Sequence, residues 1–146
     1  MGNIWDNCGL WIPVMTWFLV QSIKVLSDLL IHKKLNIRRL WGSGGMPSSH
    51  SAFVTSLSTV AALSRGFDSL EFAICVIFSS IVMYDAAGVR RAAGKQAKVL
   101  NQIIENDGDI NIQEKLVELL GHTPVEVLAG AVVGILTAAA LYSVWM

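Results

Sequence analysis

Residues 125–146 read VEVLAGAVVGILTAAALYSVWM, and their single charged side chain, Glu126, stands at the start of the run. As a helix, 22 residues rise about 33 Å, enough to cross the hydrocarbon core of a bilayer. A surface helix of a soluble domain needs a charged or polar face. This run has no such face, so its expected solvent is lipid. Three further apolar segments precede it: about Leu10–Ile31, about Ser51–Leu63, and about Phe72–Val89. The second is short and begins on the polar stretch Pro47–His50. It can reach across only if that start sits in a protein-lined cavity or the membrane thins there. The expected fold class is therefore all-α: a polytopic membrane helix bundle of about four transmembrane helices, with amphipathic interfacial helices, in one domain spanning 1–146.

Composition agrees. Of 146 residues, 53% are hydrophobic and 15% charged, too little charge to cover a soluble domain of this size. A formal net charge of zero gives no reason to expect nucleic acid as a partner. Cys8 and Cys75 belong to no CxxC pair or Cys/His cluster, which argues against zinc and against a structural disulfide. No basic residue precedes the first apolar run, so a cleavable signal peptide is not expected.

Charge distribution sets the expected orientation. With four spans, the connections 32–46 and 90–122 share one side and carry Lys33, Lys34, Arg38, Arg39, Arg90, Arg91, Lys95, Lys98 and Lys115. The opposite side carries Arg65 alone. This bias puts the basic side in the cytoplasm and both termini across the membrane from it. Trp5, Trp11 and Trp145 suit an outer aromatic belt, and Trp41 an inner one. In the longer connection, Val99, Ile103 and Ile104 recur at helical spacing within Arg90–Glu105. Asn106-Asp107-Gly108-Asp109 breaks that pattern, and Ile112–Leu120 reads as a second amphipathic helix closed by Gly121.

Three constellations carry chemistry. In Gly44-Gly45-Met46-Pro47-Ser48-Ser49-His50-Ser51, glycines precede a helix start with Ser48 or Ser49 as N-cap. Such a turn offers backbone N–H groups to an anion, with His50 in reach; the plain alternative is a capped helix with an interfacial histidine. In Tyr84-Asp85-Ala86-Ala87-Gly88-Val89-Arg90-Arg91, the guanidinium fork suits a phosphate. Here the alternative is a pair of snorkelling cytoplasmic anchors. Asp85, costly at the end of an apolar span, orients or neutralises one arginine. In Gly121-His122-Thr123-Pro124-Val125-Glu126, Glu126 is four residues from His122 and can fix its tautomer. The same residues form a capping box, Thr123 at N-cap and Glu126 at N3, and the two readings stand even.

Two features lie inside the spans. Gln21, Lys24 and Asp28 share one helical face of the first; Lys24 either pairs with Asp28 or marks a functional cavity. Gly130 and Gly134 form a GxxxG that predicts close helix packing.

GGMPSSHSA, YDAAGVRRAAGKQA with a following LN, and ELLGHTPVEVLAGAVVG together resemble the divergent family related to type 2 phosphatidic acid phosphatases and vanadium-dependent haloperoxidases. The resemblance runs from about Gln21 to Gly134. The superfamily's PSGH motif is matched by Pro47-Ser48-Ser49-His50, and the end of its SR-x5-H-x3-D motif by His122 and Glu126. The resemblance implies His122 as a nucleophile forming a phosphohistidine, Glu126 as its orienting carboxylate and His50 as general acid. It implies that backbone groups at Ser48 and Ser49, with an arginine (Arg90 or Arg91), hold the phosphoryl oxygens. Two departures stand out. Arg91 precedes His122 by 31 residues instead of six, and the upstream Lys-x6-Arg-Pro pattern is missing, with Lys24 or Arg39 as possible replacements.

The expected activity is hydrolysis of a phosphomonoester or pyrophosphate on a lipid. The alternatives are a phosphotransferase, or a phosphate- or lipid-binding or transport protein without turnover. No cofactor is required on this reading and no metal site is assigned, with Mg²⁺ left open. A phosphorylated lipid and the membrane are the expected partners, and GxxxG inclines the expectation toward a homo-oligomer.

Overall fold

The computed structural model describes residues 3–33, 45–106, 115–118 and 120–146. After a 3-10 turn at Ile4–Asp6, five helices follow: α1 (Cys8–His32), α2 (Ser49–Arg65), α3 (Leu70–Ala87), α4 (Val89–Asn106) and α5 (Pro124–Trp145). The chain is all-helical, as expected. Among the described residues, three stretches are long and apolar enough to cross a membrane: Cys8–Leu30 in α1, Leu70–Asn106 over α3 and α4, and Pro124–Trp145, which is α5.

α2 is the exception, and its place in the bundle explains why. It is the central helix, packed against α1, α3 and α5. Its surface therefore meets protein more than lipid, and it can be rich in serine and threonine. Those hydroxyls are satisfied within the bundle. Ser58 and Ser79 hydroxyls lie 2.8 Å apart, Ser79 donates to the Val54 carbonyl at 2.9 Å, and Thr55 donates to the Ala131 carbonyl at 3.2 Å. Such interhelical bonds in membranes contribute about 0.6 kcal/mol each. At 17 residues α2 rises about 25 Å, short of a full bilayer core.

The GxxxG works inside the chain. A Cβ on Gly130 would collide with the Ser48 carbonyl, and one on Gly134 with Thr55 Oγ1 and the Ala52 carbonyl. These contacts, with the Tyr142 hydroxyl donating to the Leu63 carbonyl at 3.4 Å, show that α2 and α5 run parallel. The glycine face is thus covered by α2 and is not free for a second copy.

The burial pattern is inverted relative to a soluble protein. Thr16, Gln21, Lys24, Ser51 and Ser56 are buried, while Phe18, Leu26, Ile77, Phe78, Ile81 and Leu136 are exposed. Hydrocarbon solvent produces this arrangement, since polar groups must find partners inside. Trp5 and Trp11 stack at 5.2 Å beside the start of α1. Trp41, Arg38, Arg39 and the Asp107–Asp109 turn lie outside the described residues.

One expectation needs correcting. The first amphipathic helix is present as α4, but residues 115–118 are not helical. The reason is a side chain. Asn101 accepts from Leu116 N–H at 3.0 Å and donates to Leu116 C=O at 2.9 Å. Both Leu116 backbone groups are thereby bonded to α4 and not to a helix of their own, and the segment lies against α4.

Candidate active site

The starts of α2 and α5, the last turn of α3, and α4 meet at one end of the bundle. Two backbone hydrogen bonds fasten them. Ser48 N–H donates to the Glu126 carbonyl at 3.0 Å, joining the starts of α2 and α5. His122 N–H donates to the Ala86 carbonyl at 2.9 Å, joining the approach to α5 with the last turn of α3. Gly121 makes this approach possible. Its φ is +79°, in the left-handed region that glycine tolerates, and a Cβ would run into the Arg90–Arg91 backbone.

These fastenings bring His122 to His50, 72 residues away in sequence, with ring centroids 6.2 Å apart. His122 is 2% exposed, and neither of its ring nitrogens has a hydrogen-bond partner among the described residues. His50 Nδ1 is likewise buried and unpartnered. A buried polar atom left without a partner costs about 1–3 kcal/mol.

Glu126 resolves an alternative that the sequence left even. One oxygen, Oε2, accepts Thr123 N–H at 2.8 Å, and Thr123 Oγ1 accepts Glu126 N–H at 3.3 Å, completing the capping box. The same Oε2 stands 3.5 Å from His122 Nδ1. That is ion-pair distance and too long for a strong hydrogen bond. The carboxylate therefore caps α5 and faces the imidazole at once. Burial lowers the pKa of His122 below the ordinary histidine value, helped by the charge of Lys24 and by His50; the Glu126 carboxylate opposes this and is outweighed.

Lys24 reaches the site from inside α1. It is buried, and Nζ donates to Ser49 Oγ at 3.3 Å. Ser48 is fully buried as the N-cap of α2, its Oγ accepting from Ser51 N–H at 3.3 Å and Ser51 Oγ at 3.0 Å. Ser48 N–H is already bonded to the Glu126 carbonyl, which leaves the N–H groups of Ser49 and His50 as the next backbone donors at this helix start. Neither has a bond among the described residues.

The two arginines part company. Arg90 Nε donates to Asp85 Oδ2 at 2.6 Å, a half-exposed ion pair on the His50 side of the site. Arg91 instead lines a cavity of about 290 Å³ together with His122, Glu126, Lys95 and Lys98. A second cavity, about 340 Å³, opens beside His50 and is otherwise lined by Trp17, Phe53, Val54, Phe78 and Val82. The histidine pair thus stands between a charged cavity, lined by cations and by the carboxylates of Glu118 and Glu126, and an apolar one.

Sequence reasoning brought forward His50, His122, Glu126, Lys24, Ser49 and Arg91, and all stand at this end of the bundle. It missed Asn101, whose side chain bonds both backbone groups of Leu116 in the segment leading to His122. The only sequence signal was the Leu100-Asn101 pair trailing the second motif.

Comparison with known proteins places the chain in a family. A family model described as the Divergent PAP2 family matches residues 5–137. The chain is 45% identical over 129 residues to an uncharacterized membrane protein, YuiD, of Bacillus subtilis (strain 168), covering 80% of this chain and 82% of that protein. No solved structure matches.

Proposed function

Since the chain belongs to the Divergent PAP2 family, we propose that it is a membrane phosphatase that hydrolyses a lipid phosphate through a phosphohistidine intermediate. One observation carries the reading: a histidine buried to 2% exposure, its Nδ1 3.5 Å from the Glu126 carboxylate, faces a second histidine at 6.2 Å beside a cavity that Arg91, Lys95 and Lys98 line together with Glu118 and Glu126.

A neutral His122 nitrogen attacks phosphorus as the P–O bond to the leaving group breaks. The departing alkoxide takes a proton from His50, and the phosphoryl group stays on His122. Water, deprotonated by His50, then attacks phosphorus. The P–N bond breaks, inorganic phosphate leaves, and both histidines return to their starting states. Throughout, Arg91, Lys24 and the N–H groups of Ser49 and His50 balance the charge on the non-bridging oxygens. Glu126 keeps the His122 ring oriented and stabilises it when positive.

The apolar cavity favours a lipid over a soluble phosphate ester. The general acid must face the leaving group, and the space beside His50 is lined by aromatic and aliphatic side chains. A hydrocarbon chain fits that surface; a sugar or nucleoside would leave its hydroxyls unpartnered there. The exposed faces of α1 and α3 that flank it suit a substrate arriving from the bilayer.

The test is release of phosphate from phosphatidic acid and from a polyprenyl diphosphate in detergent micelles, by wild type and His122→Ala. Turnover by wild type with an acid-labile, base-stable phosphoenzyme on rapid quench supports the reading. Absence of turnover on every phosphorylated lipid, or an unchanged phosphoenzyme in His122→Ala, sinks it.

A further inference from the structure

Asn101 lies in α4, 21 residues before His122, and has no part in the chemistry above. It is 4% exposed, yet its amide is fully engaged. Oδ1 accepts from Leu116 N–H, and Nδ2 donates to Leu116 C=O and to Glu118 Oε1, the last at 2.8 Å. The amide pairs with Leu116 as one strand pairs with another, in both directions. One turn and more earlier on the same face, Gly94 lets the backbone of Glu118 and Leu120 lie directly on α4: a Cβ there would stand 2.5 Å from the Glu118 carbonyl. Next comes Gly121 on the Arg90–Arg91 backbone, then His122 with its N–H on Ala86. His122 is thus held from both sides, by the capping box of α5 and by the strap that Asn101 clamps.

We propose that Asn101 is a positioning residue: by clamping the strap at Leu116 and Glu118 to α4, it fixes the place of His122 opposite His50. The proposal rests on the phosphatase reading for its kinetic consequence but not for its geometry. Residues 115–118 are not helical, so these contacts with α4 hold the strap, and a freed strap lets the approach to His122 move and admit water. The charged and titratable groups around His122 are Lys24 from α1, His50 from α2, Arg91, Lys95 and Lys98 from α4, Glu118 from the strap and Glu126 from α5. Asn101 bonds Glu118 alone among them, so altered behaviour of the ring reports release of the strap together with that carboxylate.

The test replaces Asn101 by leucine, similar in volume and unable to hydrogen-bond. With phosphatidic acid in micelles, kcat should fall by about tenfold or more while KM stays within about twofold, the split expected when geometry and not binding is lost. The acid limb of the pH profile should move upward as water reaches the ring. Independently of turnover, carbethoxylation of His122 by diethyl pyrocarbonate, read by mass spectrometry, should quicken by about fivefold or more as burial is lost. Gly94→Ala, which wedges the same strap off α4, should reproduce both changes and serves if the leucine variant does not fold. A folded Asn101→Leu or Gly94→Ala protein with the wild-type His122 modification rate overturns the proposal. Should wild type hydrolyse no phosphorylated lipid, the phosphatase reading falls, and the modification rates alone decide the role of Asn101.

Discussion

One oxygen of Glu126 accepts the Thr123 N–H at 2.8 Å and stands 3.5 Å from Nδ1 of His122. Helix cap and imidazole partner are therefore the same atom. Replacing Glu126 by glutamine separates the two duties. Glutamine still serves at N3 of a capping box, so thermal stability should change little, by about 1 kcal/mol at most from the lost charge near the helix start. The imidazole loses its anion, and kcat should fall by at least about tenfold, as when a histidine loses its orienting carboxylate. Loss of stability with kcat retained would leave Glu126 as a cap alone. Thermal denaturation alongside initial-rate kinetics makes the distinction.

The pKa of His122 is held below its ordinary 6.5, chiefly by burial. A nucleophile must be unprotonated, so the acid limb of kcat/KM should lie below pH 6.5, and activity should persist in mildly acidic medium. Stability follows the same linkage. Between the two pKa values the unfolded chain binds the proton and the folded one does not. The contribution of His122 to stability is thus fully present above pH 6.5 and is lost as pH falls through the folded-state value. A His122→Phe variant should show a shallower loss of Tm over that acidic range; an unchanged slope would contradict the assignment.

Arg91 lines the cavity with His122, whereas Arg90 is tied to Asp85. Arg91→Ala should lower kcat/KM by about 10²-fold, the scale seen when a donor to transition-state charge is removed. Arg91→Lys should recover only part, because an ammonium lacks the two-pronged geometry. Arg90→Ala breaks a half-exposed ion pair contributing about 0–1 kcal/mol, so its effect on kcat/KM should be the smaller by at least about tenfold. Equal losses in the two alanine variants would remove the distinction.

The cation-rich end of the bundle should face the cytoplasm, with Cys8 and the end of α5 on the far side. In a variant whose own cysteines are replaced, a cysteine at Lys98 should resist an impermeant maleimide in intact cells and react after permeabilisation. One placed at Asp68, in the opposite connection, should react in intact cells. The reverse pattern would invert the orientation.

The sequence alone determined the solvent and the elements. The uncharged interior of 127–146 and the apolar runs at 10–31 and 72–89 admit little but membrane helices, because lipid leaves unbonded backbone no partner. The capping box at Thr123 was legible too, being local. The short second run was legible only as a puzzle, since its serines and threonines make sense once three other helices surround it. Which reading of Glu126 held was undecidable in one dimension: cap and imidazole partner share an atom only after Gly121 turns the chain onto α4. The roles of Arg90 and Arg91 depended on what the fold places beside each, Asp85 for Arg90 and the cavity with His122 for Arg91. The strap itself went unread. The apolar spacing of 112–120 argued for a helix, and a local pattern carries no sign of Asn101, 15 residues upstream of Leu116, taking both of that residue's backbone hydrogen bonds. Periodicity records which side chains seek a common face, whereas a buried amide that captures the backbone of a distant segment is a competition that only the folded chain decides.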